Sequence, residues 1–402
     1  MKSDKNVRVP YLDTAKGFGI LMVCIGHACT NGSIVAECQM ADLIRFVTLF
    51  HMALFFFING MLYQTKYSER PVIGSIKKFR AYYFPFVKYN LIFWLFHNLF
   101  AKLHLISGKL DVKDYAYDGL RAYIISFFKS IFGFRQRFAG AMWFLEALIV
   151  ISVVFIFVDF VGTKLFSKKR ILFLTVTVLG IVLLNRLLNL SEVPHIPASL
   201  TQMVYWGLNG LLFFYFGYLY RIYSWNEKLL RYKIWLVPVL FILVVASVVI
   251  MKPQVVSVIT NNSVPIYRSV SGAFVGNAEI KGLPLLQFLF YVIIGLCGIV
   301  MTLLFSQFNR ISKVSVLKVL GKYSLHIMCL HFLAFKCVSL IIIWIYRLPM
   351  ERLAEYPVIL GINGIWWLAY TICGCTLPVL VVKIFEITRN KIVFKHRKRE
   401  NI

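Results

Sequence analysis

Apolar residues run through this chain in long blocks, separated by short polar segments that are mostly basic. A helix that crosses the hydrocarbon of a bilayer needs about 20 predominantly apolar residues. That ruler predicts ten spans, near 11–30, 43–63, 83–103, 141–161, 171–190, 202–220, 234–251, 286–306, 321–345 and 362–385. The third is the least regular, because Lys88, His97 and Lys102 interrupt it. Lys and Arg then set a direction. With the N-terminus inside, the inner segments hold roughly twice as many basic residues as the outer ones, as the positive-inside rule requires. An even number of spans keeps this alternation intact. The expected fold class is therefore an all-α integral membrane protein of about ten transmembrane helices, with N- and C-termini cytoplasmic. Two outer connections are long, 104–139 and 252–285, and the second is rich in Asn, Ser, Gly and Pro. Such lengths fit either a functional loop or a solvated tether.

Composition agrees with the pattern. Hydrophobic residues make up 59% of the chain and charged residues 15%, against about 25% charged in soluble domains. The net charge of +27 does not indicate nucleic acid, because the basic residues cluster between apolar runs. The first apolar run is long and lacks a small-residue cleavage site after it, so it is expected to stay as a span. Seven of the eight cysteines (Cys24, Cys29, Cys297, Cys329, Cys337, Cys373 and Cys375) sit in or beside apolar runs, and Cys38 lies in a connection. Their spacing is not that of a metal site, and they read as small packing residues. Neither an internal repeat nor a second domain is visible; residues 1–402 read as one polytopic domain ending in a basic cytoplasmic tail, 386–402, held near anionic lipid.

Ionisable residues inside the apolar runs carry the chemical information, since such groups tend to face a cavity or a partner. The first run, YLDTAKGFGILMVCIGHA, holds Asp13, Lys16 and His27. Lys16 and His27 are close to three helical turns apart, on one face and about 16 Å distant. Asp13 falls on the same side. Asp13 and Lys16 alone would also suit an ion pair near the inner surface; His27 lies too far along the helix for that. The second run, FHMALFFFINGMLY, brings His51 and Asn59, and the fourth opens GAMWFLEALIV with Glu146. In the ninth, LGKYSLHIMCLHFLAF, Ser324 and His331 share a face, whereas His326 points elsewhere and is expected to be structural. Four spans each contributing a titratable group suggest a lined cavity.

Four stretches, YLDTAKGFGILMVCIGH, FHMALFFFINGML, MWFLEAL and LGKYSLHIMCLH, with FFYFGYLYR as weaker support, resemble the acyltransferase-3 family of membrane O-acyltransferases. More narrowly they are similar to its fucose 4-O-acetylase-like branch. In order and spacing the likeness covers roughly residues 11–340, with a motif-bearing core of about 11–345. The family's opening motif, a basic residue followed by His after ten intervening positions, corresponds to Lys16 and His27. Lys replaces the more usual Arg, which keeps the charge but not the bidentate fork; Ala53 and Asn59 stand where Pro and Ser are more common.

The resemblance implies transfer of an acetyl group from cytoplasmic acetyl-CoA to a hydroxyl of a cell-surface or lipid-linked glycan, at the cell inner membrane and without a metal. His27 would act as general base or carry the acetyl group transiently. Lys16 would meet a CoA phosphate, and Asp13 beside it would belong to the catalytic set. His51, Glu146 and His331 would orient His27 or the acceptor, in an order the sequence leaves open. The partners implied are acetyl-CoA, the sugar acceptor and the lipid bilayer, with no nucleic acid. The alternatives are a glycan transporter or polymerase of the cell envelope, and an acyltransferase-like module that binds without catalysis. A transporter or polymerase gives no reason for a basic residue and a His at this spacing, and the histidines weigh mildly against the binding module.

Overall fold

A computed structural model describes residues 9–29, 40–188, 198–250, 284–362 and 364–400. Every regular element among the described residues is helical. The principal helices are α1 (Pro10–Ala28), α2 (Ala41–Thr48), α3 (His51–Met61), α4 (Pro71–Leu95), α5 (His97–Lys102), α6 (Gly119–Ile131) and α7 (Trp143–Leu165). They continue with α8 (Arg170–Leu187), α9 (Ala198–Ile222), α10 (Lys233–Ile250), α11 (Pro284–Phe305), α12 (Ser315–Lys322), α13 (Ser324–Tyr346) and α14 (Trp366–Glu400). Among the described residues, five helical segments are long and apolar enough to cross a membrane: Asp42–Met61, Arg137–Leu165, Ser167–Leu187, Ser324–Tyr346 and Trp366–Lys391. Lys233–Val249 and Leu289–Phe305 are apolar but shorter. The chain is thus a helical, multi-pass membrane protein.

Several helices begin or break where the apolar pattern does not. The second predicted span is two helices, parted at Leu49–Phe50, where Phe50 leaves helical geometry (φ −142°). The break orphans carbonyls at the end of α2, and the His51 ring takes one of them: its Nδ1 lies 2.7 Å from the Val47 oxygen. The third predicted span starts twelve residues early, at Pro71, whose fixed φ suits a first helical position. Lys77, Lys78 and Arg80 consequently lie on α4, not in a connection. Hydropathy marks the part of a helix that suits lipid, not where the helix begins. The ninth predicted span is likewise divided, α12 ending before Tyr323 and α13 following it. At the end of the chain α14 runs through the predicted tail to Glu400.

Residues 104–139 form a folded cap over one end of the bundle, not a tether. Asn90 on α4 donates to the carbonyls of Ser130 and Phe134, both at 2.7 Å, and accepts from the Gln136 amide at 2.9 Å. The His97 ring lies between the Gln136 side chain (3.1 Å) and the Tyr115 carbonyl (2.8 Å). Asn98 and Tyr117 exchange two further bonds. Arg137 closes the cap on Asp111 at 2.8 Å. Burial opposes the charge on Asp111, but the Lys113 amide and the Lys113 and Arg137 charges prevail and hold the carboxyl below the usual range. The other long connection, 252–285, lies almost wholly outside the described residues.

The core is built on α1, which packs against α3, α12, α13 and α14. Two helix crossings rest on glycine. A Cβ on Gly17 of α1 would strike the Leu317 carbonyl, and one on Gly321 of α12 would strike the Asp13 carbonyl. Gly60 of α3 and Gly217 of α9 repeat this reciprocity against the Phe214 and Phe57 carbonyls. Small residues let helix backbones meet this closely in a membrane. The seven described cysteines are free thiols. The Cys24 and Cys375 thiols lie side by side, as do those of Cys337 and Cys373, bringing together helices that the sequence leaves unrelated; Cys38 is outside the described residues.

Candidate active site

Five helices enclose a cavity of roughly 200 Å³. Lys16, Ile20 and Val23 line it from α1; Met52, Phe55 and Asn59 from α3; Ala81 and Tyr82 from α4; Phe144, Leu145 and Leu148 from α7; Ser324, Leu325 and Met328 from α13. On α1, α3, α7 and α13 these positions advance by about a turn, so the cavity runs lengthwise through the bundle. Lys16, Asn59, Tyr82 and Ser324 supply the polar groups of one end. The Asn59 amide donates to the Phe55 carbonyl at 2.8 Å, and the Tyr82 hydroxyl donates to the Asn59 oxygen at 3.2 Å. Lys16 and Asp13 are both half-buried, but Asp13 is not among the lining residues.

One turn beyond the other end lie three histidines. Val23 precedes His27, Met328 precedes His331, and Phe55 follows His51, each by about a turn. The His27 and His331 rings stack with centroids 5.3 Å apart, and Phe332 packs edge-on against His27 at 4.7 Å. His51 is buried on α3 next to the lining residue Met52, at the same end of the bundle. The sequence placed these residues on three separate helices; the fold makes them neighbours.

Their hydrogen bonds define which nitrogens carry protons. His331 Nδ1 lies 3.0 Å from both the Ile327 and Met328 carbonyl oxygens. A carbonyl only accepts, so Nδ1 carries the hydrogen and Nε2 of the neutral ring is left as a lone pair. That Nε2 is buried and has no hydrogen-bond partner. His51, held by Val47, is in the same tautomer. A buried imidazole lone pair beside a second imidazole is an arrangement for accepting a proton. Among the described residues no group of three His, Cys, Asp or Glu has the geometry to hold a metal ion.

Glu146 is buried, 7% exposed, and its nearest charge is Arg135, whose Nε lies 3.5 Å from the carboxylate. Arg135 also covers the Trp206 ring at 5.5 Å. Glu146 therefore joins the cap segment to α7, while its neighbours Phe144 and Leu145 line the cavity. His326 faces away from this group and bonds the Tyr89 hydroxyl, the structural role expected of it.

A family model for an acyltransferase domain, that of the acyltransferase-3 family, matches residues 9–384. The chain belongs to the acyltransferase-3 family. No curated protein and no solved structure matches it. As an acyltransferase-3 protein it is a membrane acyltransferase, and the matched region takes in every residue of the cavity and the histidine group.

Three contributors to the site of this acyltransferase-3 protein were missed from the sequence. Arg135 counted only as one basic residue of an outer connection. Tyr82 lay just before the predicted third span. Phe332 was one apolar residue among many. Only Arg135 had a usable signal, an unexplained buried acid within one loop's reach.

Proposed function

We propose that this protein is an O-acetyltransferase of the fucose 4-O-acetylase-like branch. It would take the acetyl group from cytoplasmic acetyl-CoA and pass it to a hydroxyl of a cell-surface or lipid-linked glycan. In this reading the chain crosses the cell inner membrane ten times as one domain, with both termini and the basic 386–402 segment in the cytoplasm. α1, α4 and α9 then act as spans despite their polar residues, because those residues face the interior or an interface.

The observation that carries the reading is the cavity joining Lys16 to the turn below the three histidines. The cavity follows α1 for about 10 Å, from Lys16 to Val23, and the full Lys16–His27 separation of about 16 Å is comparable to an extended pantetheine arm. Lys16 at the cytoplasmic end would hold a CoA phosphate as a point charge, and the thioester would reach the histidines. There the acceptor oxygen attacks the thioester carbonyl while an imidazole lone pair takes the hydroxyl proton. The carbon–sulfur bond breaks, the thiolate takes a proton, and the products are an O-acetyl ester and CoA thiol. His27, half-buried against the buried His331, would be the residue to meet the acceptor. It would do so as base, or as transient carrier with His331 as base.

Labelled acetyl-CoA offered to membrane vesicles holding the protein tests the reaction. The expected result is label in the glycan fraction. Glycan that crosses or lengthens without acquiring label would mean a transporter or polymerase instead.

A further inference from the structure

A second cavity, of about 360 Å³, lies in the cap between its first half and α6. Lys113, Tyr115, Tyr117, Asp118, Lys129 and Phe134 are among its lining residues. Three features set it apart from a gap between loosely packed segments.

The first is Tyr115, which is 59% exposed yet firmly held. Its carbonyl accepts from the His97 ring. Its own ring packs directly against Gly108, where any Cβ would collide with it, while more than half of the residue stays exposed. Second, Tyr117 forms another preset wall. It stacks on His97 with centroids 4.0 Å apart and planes within 9°, and its hydroxyl exchanges bonds with the Gln136 side chain. Third, the polar groups at the rim are of mixed kind. Lys113 is tied to Asp111 at 3.2 Å, while Lys129 and Asp118 are exposed. Rigid aromatic faces with a few placed polar groups characterise a preformed ligand site. An exposed tyrosine ring suits the C–H face of a sugar ring, with a carboxylate and an ammonium beside it for hydroxyls.

α6 also indicates where the cleft lies. Leu120, Ile124, Phe128 and Phe132 form an exposed apolar stripe at four-residue spacing on another face of this helix. Such a stripe with Arg121 alongside settles at a bilayer surface. The cleft then opens at the level where a glycan meets the membrane.

We propose that the cleft between residues 112–118 and α6 is a saccharide-binding site that docks the acceptor glycan, with Tyr115 as stacking platform and Lys129 and Asp118 as hydroxyl partners. This rests on the proposed glycan acetylation. It can be separated from that reading by measuring binding without turnover. The full chain carrying His27→Ala is purified and titrated with surface polysaccharide extracted from cells lacking this protein. Tyr115→Ala and Lys129→Gln, each added to that background, should weaken binding at least tenfold while leaving acetyl-CoA binding and the melting temperature unchanged. Lys129 is an exposed helix residue, so its variant remains informative if Tyr115→Ala folds poorly. Absent binding, or binding as tight in both variants, overturns the site. Cleft-dependent binding together with no label transfer by the wild type upholds the site and sinks the acetylation.

Discussion

His331 is oriented by its own helix. Its Nδ1 donates to two carbonyls of the preceding turn, and this leaves a buried lone pair beside His27 without help from a carboxylate. Glu146, one candidate for orienting His27, is instead paired with Arg135 at 3.5 Å. Arg135→Gln strands Glu146 without a counter-charge, a loss of roughly 3 kcal/mol for a buried pair. The Arg135→Gln/Glu146→Gln double variant should regain most of the melting temperature and activity. If the double variant stays inactive while stable, Glu146 is a catalytic acid and not an anchor for the cap. Lys16 makes the opposite prediction. Lys16→Ala should raise the KM for acetyl-CoA well beyond Lys16→Arg, since a point charge on phosphate is shared by both basic residues. Equal effects would make Lys16 a topology anchor. The Lys16–His27 relation was legible in the sequence because one helix fixes it. The Arg135–Glu146 pair was not, because it depends on how the cap folds back on α7.

At the scale of elements, the motif glycines are explained by helix crossings. Gly60 and Gly217 each face the other helix's backbone, as do Gly17 and Gly321. Gly217→Ala should therefore force α3 and α9 apart, at about 1–3 kcal/mol, and lower the melting temperature in detergent. Gly180 on α8 has open space around it. Gly180→Ala should be neutral, or stabilising by about 0.4–1 kcal/mol. Equal losses at both positions would contradict the crossing. Apolar runs located most of these helices, yet not their ends. Neither the break at Leu49–Phe50, which His51 mends with its ring, nor the charged first turns of α4 could be read from the apolar pattern. Nor could periodicity show that 104–139 is folded, since its order comes from single side chains such as Asn90 and His97 reaching in from α4 and α5.

At the scale of the whole molecule, the reading depends on direction. Lys16 and Ser324 lie at one end of the cavity, and the histidines and the cap lie beyond the other. In the proposed topology, which follows the positive-inside rule, the Lys16 end would face the cytoplasm, where the donor enters, and the cap would face the outside, where the glycan lies. The central claim is that the acetyl group passes between these ends by way of His27. Sealed vesicles of known orientation, given labelled acetyl-CoA on one face and glycan on the other, measure this directly. With the donor on the cytoplasmic face, label should appear in glycan on the opposite face. His27→Ala should lower that transfer by about 10²–10⁴ while its abundance in the membrane is unchanged. Transfer that requires acetyl-CoA on the outer face, or that persists in His27→Ala, would contradict the account.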